Sequence, residues 1–429
     1  MQAFGIFMPQ WRPIMRSNNF LLTLPHSIPL NFLGLALCML LLVTQSAPAQ
    51  TYTVIYRFKG ASDGRSPYAG VIRDSDDNLY GTTTGNGLYP GYGTVFKISK
   101  CGKETVLHRF PGGLDGEHPY GGLVRDAKGN LYGTTSGNDC WEGNCGTVFK
   151  IDKRGKESVL YRFGNLPDGN TPDLENLLLD KAGNIYGTTE LGGYDDCNNY
   201  GLGCGTVFKL DRFGKETVLH RFRGRDGAFP SAGLVPDAVG NLYSTTFAGG
   251  VPGYGCQGYY GCGTVFKVDK TGKLIVLHRF SKFADGMLPL AGVIRDEAGN
   301  IYGTVTGGGK NLSGAVFKLD KCGRETVLYS FTQDDGMPLA GLVRDAKGNL
   351  YGTTMWGSGS DYYGTVFKLD KAGKRTTLHS FGDGADGAFP QGKLVMDEGG
   401  RLYGTTIEGG DFTGPCQYEG CGVVFEVTP

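Results

Sequence analysis

One phrase, Gly129-Asn-Leu-Tyr-Gly-Thr-Thr135, recurs with small changes seven times, and this beat limits the possible folds more than any other feature. Its tyrosine stands at Tyr80, Tyr132, Tyr186, Tyr243, Tyr302, Tyr351 and Tyr403, in steps of 52, 54, 57, 59, 49 and 52 residues. Repeats of that length stack into one body however long the chain, so the usual division of 429 residues into two or three domains does not apply. The 73 glycines and 12% aromatic residues, with few runs of helix formers, belong to short strands and tight turns.

A full copy of the repeat reads as four strands. Tyr120-Gly-Gly-Leu-Val-Arg-Asp126 is the first, and Ala-Lys-Gly turns it into the second, Asn130–Thr135. A variable loop leads to the third, Gly146–Asp152, and the turn Lys153–Gly155 to the fourth, Glu157–Phe163. Gly and Asn after Asp supply the positive φ that tight hairpins need. The fourth strand ends at Phe58, Phe110, Phe163, Phe222, Phe280, Phe331 and Phe381, so its first copy precedes any first strand. The last third strand, Gly422–Val427, has no fourth after it. Thr51–Phe58 therefore completes the last blade, which predicts an all-β fold: a single seven-bladed β-propeller of four-stranded antiparallel blades over residues 51–429. A linear solenoid would leave Thr51–Phe58 as an unpaired strand.

Residues 1–50 stand outside the repeat. Arg12 and Arg16 precede the apolar run Leu30–Val43, and Ser46-Ala47-Pro48-Ala49 offers small residues for cleavage near Ala49. This is the pattern of a secretory signal with a long front region. The apolar run is short for a spanning helix, so no membrane span is expected after cleavage. Cys38 follows Leu37 rather than a small residue, which argues against lipidation. The mature part carries 40 basic and 42 acidic residues with no basic face, which disfavours nucleic acid and anionic membranes as partners.

Three motifs together, Phe-x-Gly-x-x-Asp-Gly-x-x-Pro, Ala-Gly-Leu-Val-x-Asp-x-x-Gly-Asn-Leu-Tyr-Gly-Thr-Thr and Gly-Thr-Val-Phe-Lys-Leu-Asp, resemble the GloVer (Gloeo-Verruco) tandem repeat family of secreted or surface bacterial proteins. The likeness covers residues 51–429 and implies an exported, propeller-like protein. It brings no catalytic residues and no cofactor.

Ten cysteines remain beyond Cys38. Eight form local pairs, Cys140/Cys145, Cys197/Cys204, Cys256/Cys262 and Cys416/Cys421, the second of each directly before the Gly that opens a third strand. With an export signal these read as disulfides stapling the variable loops; the spacing suits no zinc motif. Cys101 and Cys322 sit in turns of non-neighbouring blades and read as free thiols.

A residue present in every blade is first a scaffold residue, and function is sought in departures. The aspartates of the Asp-Gly turns, Asp63 to Asp386, cap their own turns in this reading rather than bind calcium. His108, His220, His278 and His379 alternate with Tyr56, Tyr161 and Tyr329 at one place on the fourth strand, so they too read as scaffold. No nucleophile elbow, phosphate loop or His-Glu metal motif occurs. Departures toward the axis are Glu175, Asn176 and Lys393, candidates for lining a central channel. The variable loops carry Tyr89, Trp141, Tyr200, Tyr260, Trp356 and Tyr363 among Asn, Asp and Gly. Flat rings with polar rims suit sugars, so these are the candidate ligand-binding residues. Asp195, Asp196, Asn198 and Asn199 match no known calcium loop, and no metal is expected. The function expected is non-catalytic binding of a glycan or an extracellular protein by a secreted or periplasmic monomer. The alternatives are a propeller hydrolase or lyase with a channel site, and a structural envelope protein.

Overall fold

The computed structural model describes residues 50–60, 63–85, 91–137, 145–164, 166–172, 175–194, 202–251, 256, 261–356, 363–382 and 384–429. Gln50–Pro429 forms one unit. Its strands form seven antiparallel sheets arranged as a seven-bladed β-propeller. Blade 2 is typical: Val124–Arg125, Leu131–Thr135, Thr147–Ile151 and Glu157–Arg162, from axis to rim. Thr51–Arg57 pairs antiparallel with Val423–Thr428 and so supplies the outer strand of blade 7, as the strand count requires. Blade 3 gains a fifth strand, Gly169–Pro172, from the loop that enters it.

The repeated phrase decodes residue by residue. Asp126 Oδ1 accepts the N–H of Lys128 and of Asn130, at 2.9 and 2.8 Å. Oδ2 accepts the Asn130 amide at 2.7 Å and the Tyr132 hydroxyl at 3.1 Å. Gly129, at φ 87°, takes the left-handed position this turn needs. One carboxylate thus fixes the hairpin and locks the tyrosine that follows it. In Gly-Thr-Thr, the glycine faces the third-strand phenylalanine: a Cβ on Gly133 would lie 2.6 Å from Phe149 Cζ. The first threonine reaches the next blade, as Thr82 Oγ1 donates to the Gly121 carbonyl at 3.0 Å and Thr405 Oγ1 to that of Ala69 at 2.8 Å. The second pairs with the threonine opening the third strand, Thr135 with Thr147 at 2.8 Å.

Hydrophobic burial between blades repeats likewise. Each fourth-strand terminal phenylalanine meets, edge-on, the third-strand phenylalanine of the next blade. Phe110–Phe149 and Phe58–Phe96 have ring centroids 5.0 Å apart, and Phe381–Phe425 5.4 Å. Such pairs add about 0.5–1.5 kcal/mol to the burial of the rings themselves. The two pairs flanking blade 7 are of the same kind as the rest, so the closing seam is packed like any other.

The inner strands are shorter than the sequence suggests: two residues, Val124–Arg125, where Tyr120–Asp126 was expected. Near the axis the backbones of adjacent blades abut, and a Cβ on Gly70 would strike the Lys393 carbonyl at 2.0 Å. The carbonyl of Gly121 goes to the neighbouring blade's threonine instead of its own second strand. Disulfides join Cys256 to Cys262 and Cys416 to Cys421, each with Cα atoms 5.2 Å apart. Cys145 and Cys204 are disulfide-bonded too, while Cys140 and Cys197 lie outside the described residues. Cys101 and Cys322 are free and exposed. Among the described residues no helix is long and apolar enough to cross a membrane.

Candidate functional site

Two regions depart from the repeat, the axis and one face. Along the axis runs a channel of about 900 Å³, walled by the segments that enter the inner strands. Glycines, Gly70, Gly122, Gly233, Gly292 and Gly341, hold the equivalent position in five blades; a Cβ would strike the Lys393 carbonyl at Gly70 and the Asn176 side chain at Gly122, and would find ordinary contacts at Gly341. Blades 3 and 7 break the rule with Asn176 and Lys393. Blade 3 makes room by length: Pro172 to Leu177 is one residue longer than Pro119 to Leu123.

Glu175 uses that extra residue to cross the channel. Its Oε2 accepts the N–H of Gly233 and its Oε1 that of Gly292, both at 3.0 Å, which ties blade 3 to blades 4 and 5. The Asn176 amide oxygen lies over Gly122, where a Cβ would come within 1.8 Å. Lys393 extends toward Glu175. Its Cδ and Glu175 Oε1 lie 3.4 and 3.6 Å from the point a Cβ on Gly341 would occupy. The three channel candidates thus all line the channel, as do Ser231, Gln391 and Arg295. Both carboxylate oxygens of Glu175 hold backbone amides, an arrangement that positions blades rather than presenting a nucleophile.

The second region is the face carrying the Asp-Gly turns and the loops between second and third strands. Backbone bridges such as Ala228–Ala248 and Ala388–Glu408 hold the two kinds of loop side by side. Trp356 leaves the second strand of blade 6 and is 41% exposed. Tyr363 is turned inward, partly buried against Phe389 with ring centroids 5.8 Å apart. Tyr89, Trp141, Tyr200 and Tyr260, together with Asp195, Asp196, Asn198 and Asn199, lie outside the described residues. Tyr194, also on this face, stacks under the Arg223 guanidinium at 4.0 Å, and Tyr418 is 86% exposed.

At the outer rim the alternation of His and Tyr has a physical explanation. Both types can reach the aspartate of the following Asp-Gly turn: Tyr56 OH donates to Asp63 at 2.6 Å and His220 Nε2 pairs with Asp226 at 2.8 Å, whereas His108 meets Glu157 instead. The turn aspartate also accepts a backbone N–H, as Asp63 does from Lys59, so it caps its own turn as expected. A fourth-strand glutamate of the next blade packs beside it. Burial, then the Asp63 charge, pushes the Glu104 carboxyl up to about 7; burial and Asp168 do the same to Glu216. The sequence reading took the His and Asp as separate scaffold features. Their spacing of six or seven residues in every copy was the available signal that the pair can meet.

The sequence matches the model of the Gloeobacter/Verrucomicrobia repeat over residues 42–202, 90–285 and 256–429. The chain belongs to this repeat family. No curated protein sequence matches this repeat protein. Among solved structures it is similar to a gluconolactonase from Xanthomonas campestris, at 15% identity over 88% of this chain and 89% of that one, with a TM-score of 0.42. It is also similar to a luciferin-regenerating enzyme, at 12% identity over 89% and 95% of the two chains, with a TM-score of 0.41.

Proposed function

We propose that this repeat protein is an exported binding propeller that holds a glycan on the face of its Asp-Gly turns and second-to-third-strand loops. One observation carries the reading. Among the described residues, 11 large apolar side chains are well exposed, and 8 of them stand in the loops of this face. They include Trp356, Phe412 and Tyr418; the other 3 are Phe213, Val239 and Ile275, on the opposite turns or the rim. Scattered exposed apolar groups need no explanation, but a concentration on one face marks a recognition surface. Rings set among Asn, Asp and Gly favour carbohydrate, since a ring offers a flat apolar platform and the rim supplies hydrogen bonds.

The test is a glycan array probed with the full chain, followed by Trp356→Ala and Tyr418→Ala. Binding that falls in both variants, with an unchanged melting temperature, supports the reading. Binding unaffected by either refutes it, and capture of an extracellular protein without any glycan replaces the ligand class.

A second reading, a channel enzyme, draws support from Lys393 and Glu175 approaching one point above Gly341. Lys393→Gly restores the residue most blades carry and leaves the Glu175 contacts alone. Loss of a detected turnover in that variant favours the enzyme; turnover that survives it removes Lys393 from the chemistry.

A further inference from the structure

We infer that His278, Asp285 and Glu325 form a binding site for a first-row divalent cation, Zn²⁺ foremost, between blades 4 and 5 at the outer rim. The three come from separate segments: the fourth strand of blade 4, the Asp-Gly turn that leaves it, and the fourth strand of blade 5. One donor atom from each lies within 4.8 Å of the other two, and no other such group of three occurs among the described residues.

The repeat supplies internal controls. At three of the seven junctions a tyrosine takes the histidine's place, and where described its hydroxyl simply bonds to the turn aspartate. His220 and His379 pair with Asp226 and Asp386 at 2.8 Å and have no glutamate beside them; blade 5 offers Glu325 where blade 4 has Leu274. His108 meets Glu157 at 3.2 Å, but there Asp115 is swung out to Arg162. Only the junction at His278 assembles imidazole and both carboxylates.

Its polar atoms are also unsatisfied, as are His108 Nε2 and Glu157 Oε1 at the junction of blades 1 and 2, where the third donor is missing. His278 Nε2 and Glu325 Oε1 are buried and have no hydrogen-bond partner, although two carboxylates stand within reach of the ring. Buried polar atoms without partners are rare enough to call for a cause. A cation accepting a lone pair from each would supply it. One imidazole nitrogen with two carboxylate oxygens suits Zn²⁺ or Mn²⁺ better than Ca²⁺, which prefers six to eight oxygens. Bonds of about 2.0–2.2 Å require the three side chains to rotate inward and draw the donors together. Water fills the remaining positions, and the ion links the outer strands of two blades.

The experiment is calorimetric titration of ZnCl₂ into the full chain with its exposed thiols alkylated, so that Cys101 and Cys322 do not compete. The variants are H278Y, which installs the residue that blades 2, 5 and 7 carry, E325Q, and H220Y as control. The expected result is one Zn²⁺ per chain, with affinity lowered at least roughly tenfold in H278Y and E325Q and unchanged in H220Y. Zn²⁺ should also raise the melting temperature of the unmodified sequence and not that of H278Y. Binding of equal strength in H278Y, or none below about 100 μM in the unmodified sequence, overturns the inference.

Discussion

Replacing Asp74 by alanine tests whether the hairpin carboxylate is the element that holds each blade's core strands together. Asp74 is among the most buried of these aspartates, with a side chain 3% exposed. It accepts the N–H of Asp76 at 3.0 Å and of Asn78 at 2.9 Å, the Asn78 amide at 3.0 Å and the Tyr80 hydroxyl at 2.9 Å. Alanine strands all four donors. Asn78 and Asp76 lie at the surface end of the turn and recover part of their loss from water. Tyr80 is buried, so its hydroxyl bears the full penalty, about 1–3 kcal/mol. With hydrogen bonds to a charged group worth about 1.5–3 kcal/mol each, and less when several share one acceptor, the total comes to roughly 3 kcal/mol. Urea unfolding followed by tryptophan fluorescence measures it. Tyr80→Phe alone should cost about 1 kcal/mol, and adding it to Asp74→Ala should cost almost nothing more. The pH dependence gives an independent check. Although burial opposes it, hydrogen bonds from Asn78, Tyr80 and Asp76 hold the Asp74 carboxyl below its ordinary value. A depressed carboxyl stabilises the fold fully above the unfolded value, near 3.9, and the contribution fades as pH falls through the folded one. The gap between the two chains should therefore be full at pH 7 and narrow below about pH 4. A cost under about 0.5 kcal/mol at pH 7, or a gap that persists in acid, would refute the reasoning.

Three further tests probe other links. Glu104 and Glu216, pushed up to about 7 by burial and a neighbouring aspartate, stabilise below about pH 4.5 and lose that contribution as pH rises to 7. Glu104→Gln with Glu216→Gln should flatten the melting temperature between pH 5 and 8 and raise stability at pH 8 by roughly 1 kcal/mol, allowing for their partial exposure; an unchanged slope would exclude these groups as its source. Gly133→Ala should destabilise by about 1–3 kcal/mol because Phe149 Cζ stands 2.6 Å from the new methyl, whereas Gly91→Ala meets nothing within 4 Å and should be neutral; equal melting temperatures for the two variants would contradict the packing argument. Phe58→Ala empties a fully buried site at the closing seam and should cost about 3–5 kcal/mol, matched by Phe110→Ala at an ordinary seam; a much smaller loss at Phe58 would mean the ring is not closed there.

The architecture was legible because each repeated residue has one contact that no other type supplies as well. Asp126 needs two oxygens, Gly129 a positive φ, and Gly133 the absence of a Cβ, so all three survive as spelling. Strand length near the axis was not legible, since it depends on the neighbouring blade: the Gly121 carbonyl is taken by Thr82, 39 residues earlier. The same holds for Glu175. Its identity stood out against the repeat, but its amide partners are 58 and 117 residues away, and nothing local predicts them.

That distance separates departures that serve the scaffold from those that do not. Glu175 satisfies two backbone amides at the axis, so its presence is explained by the fold alone. Lys393 is the reverse case. In the blades ending at Thr82, Thr188, Thr245, Thr304 and Thr405, the first threonine of the Gly-Thr pair bonds to a carbonyl of the next blade's inner segment. The matching carbonyl for Thr353 is that of Gly392, beside Lys393, and the Thr353 hydroxyl is buried with no partner. An unsatisfied buried hydroxyl costs about 1–3 kcal/mol, and in the five blades where it is bonded the accepting residue is followed by glycine, not lysine. Of the three axial departures, Lys393 is therefore the one whose exchange for glycine is the informative test of a role in the channel.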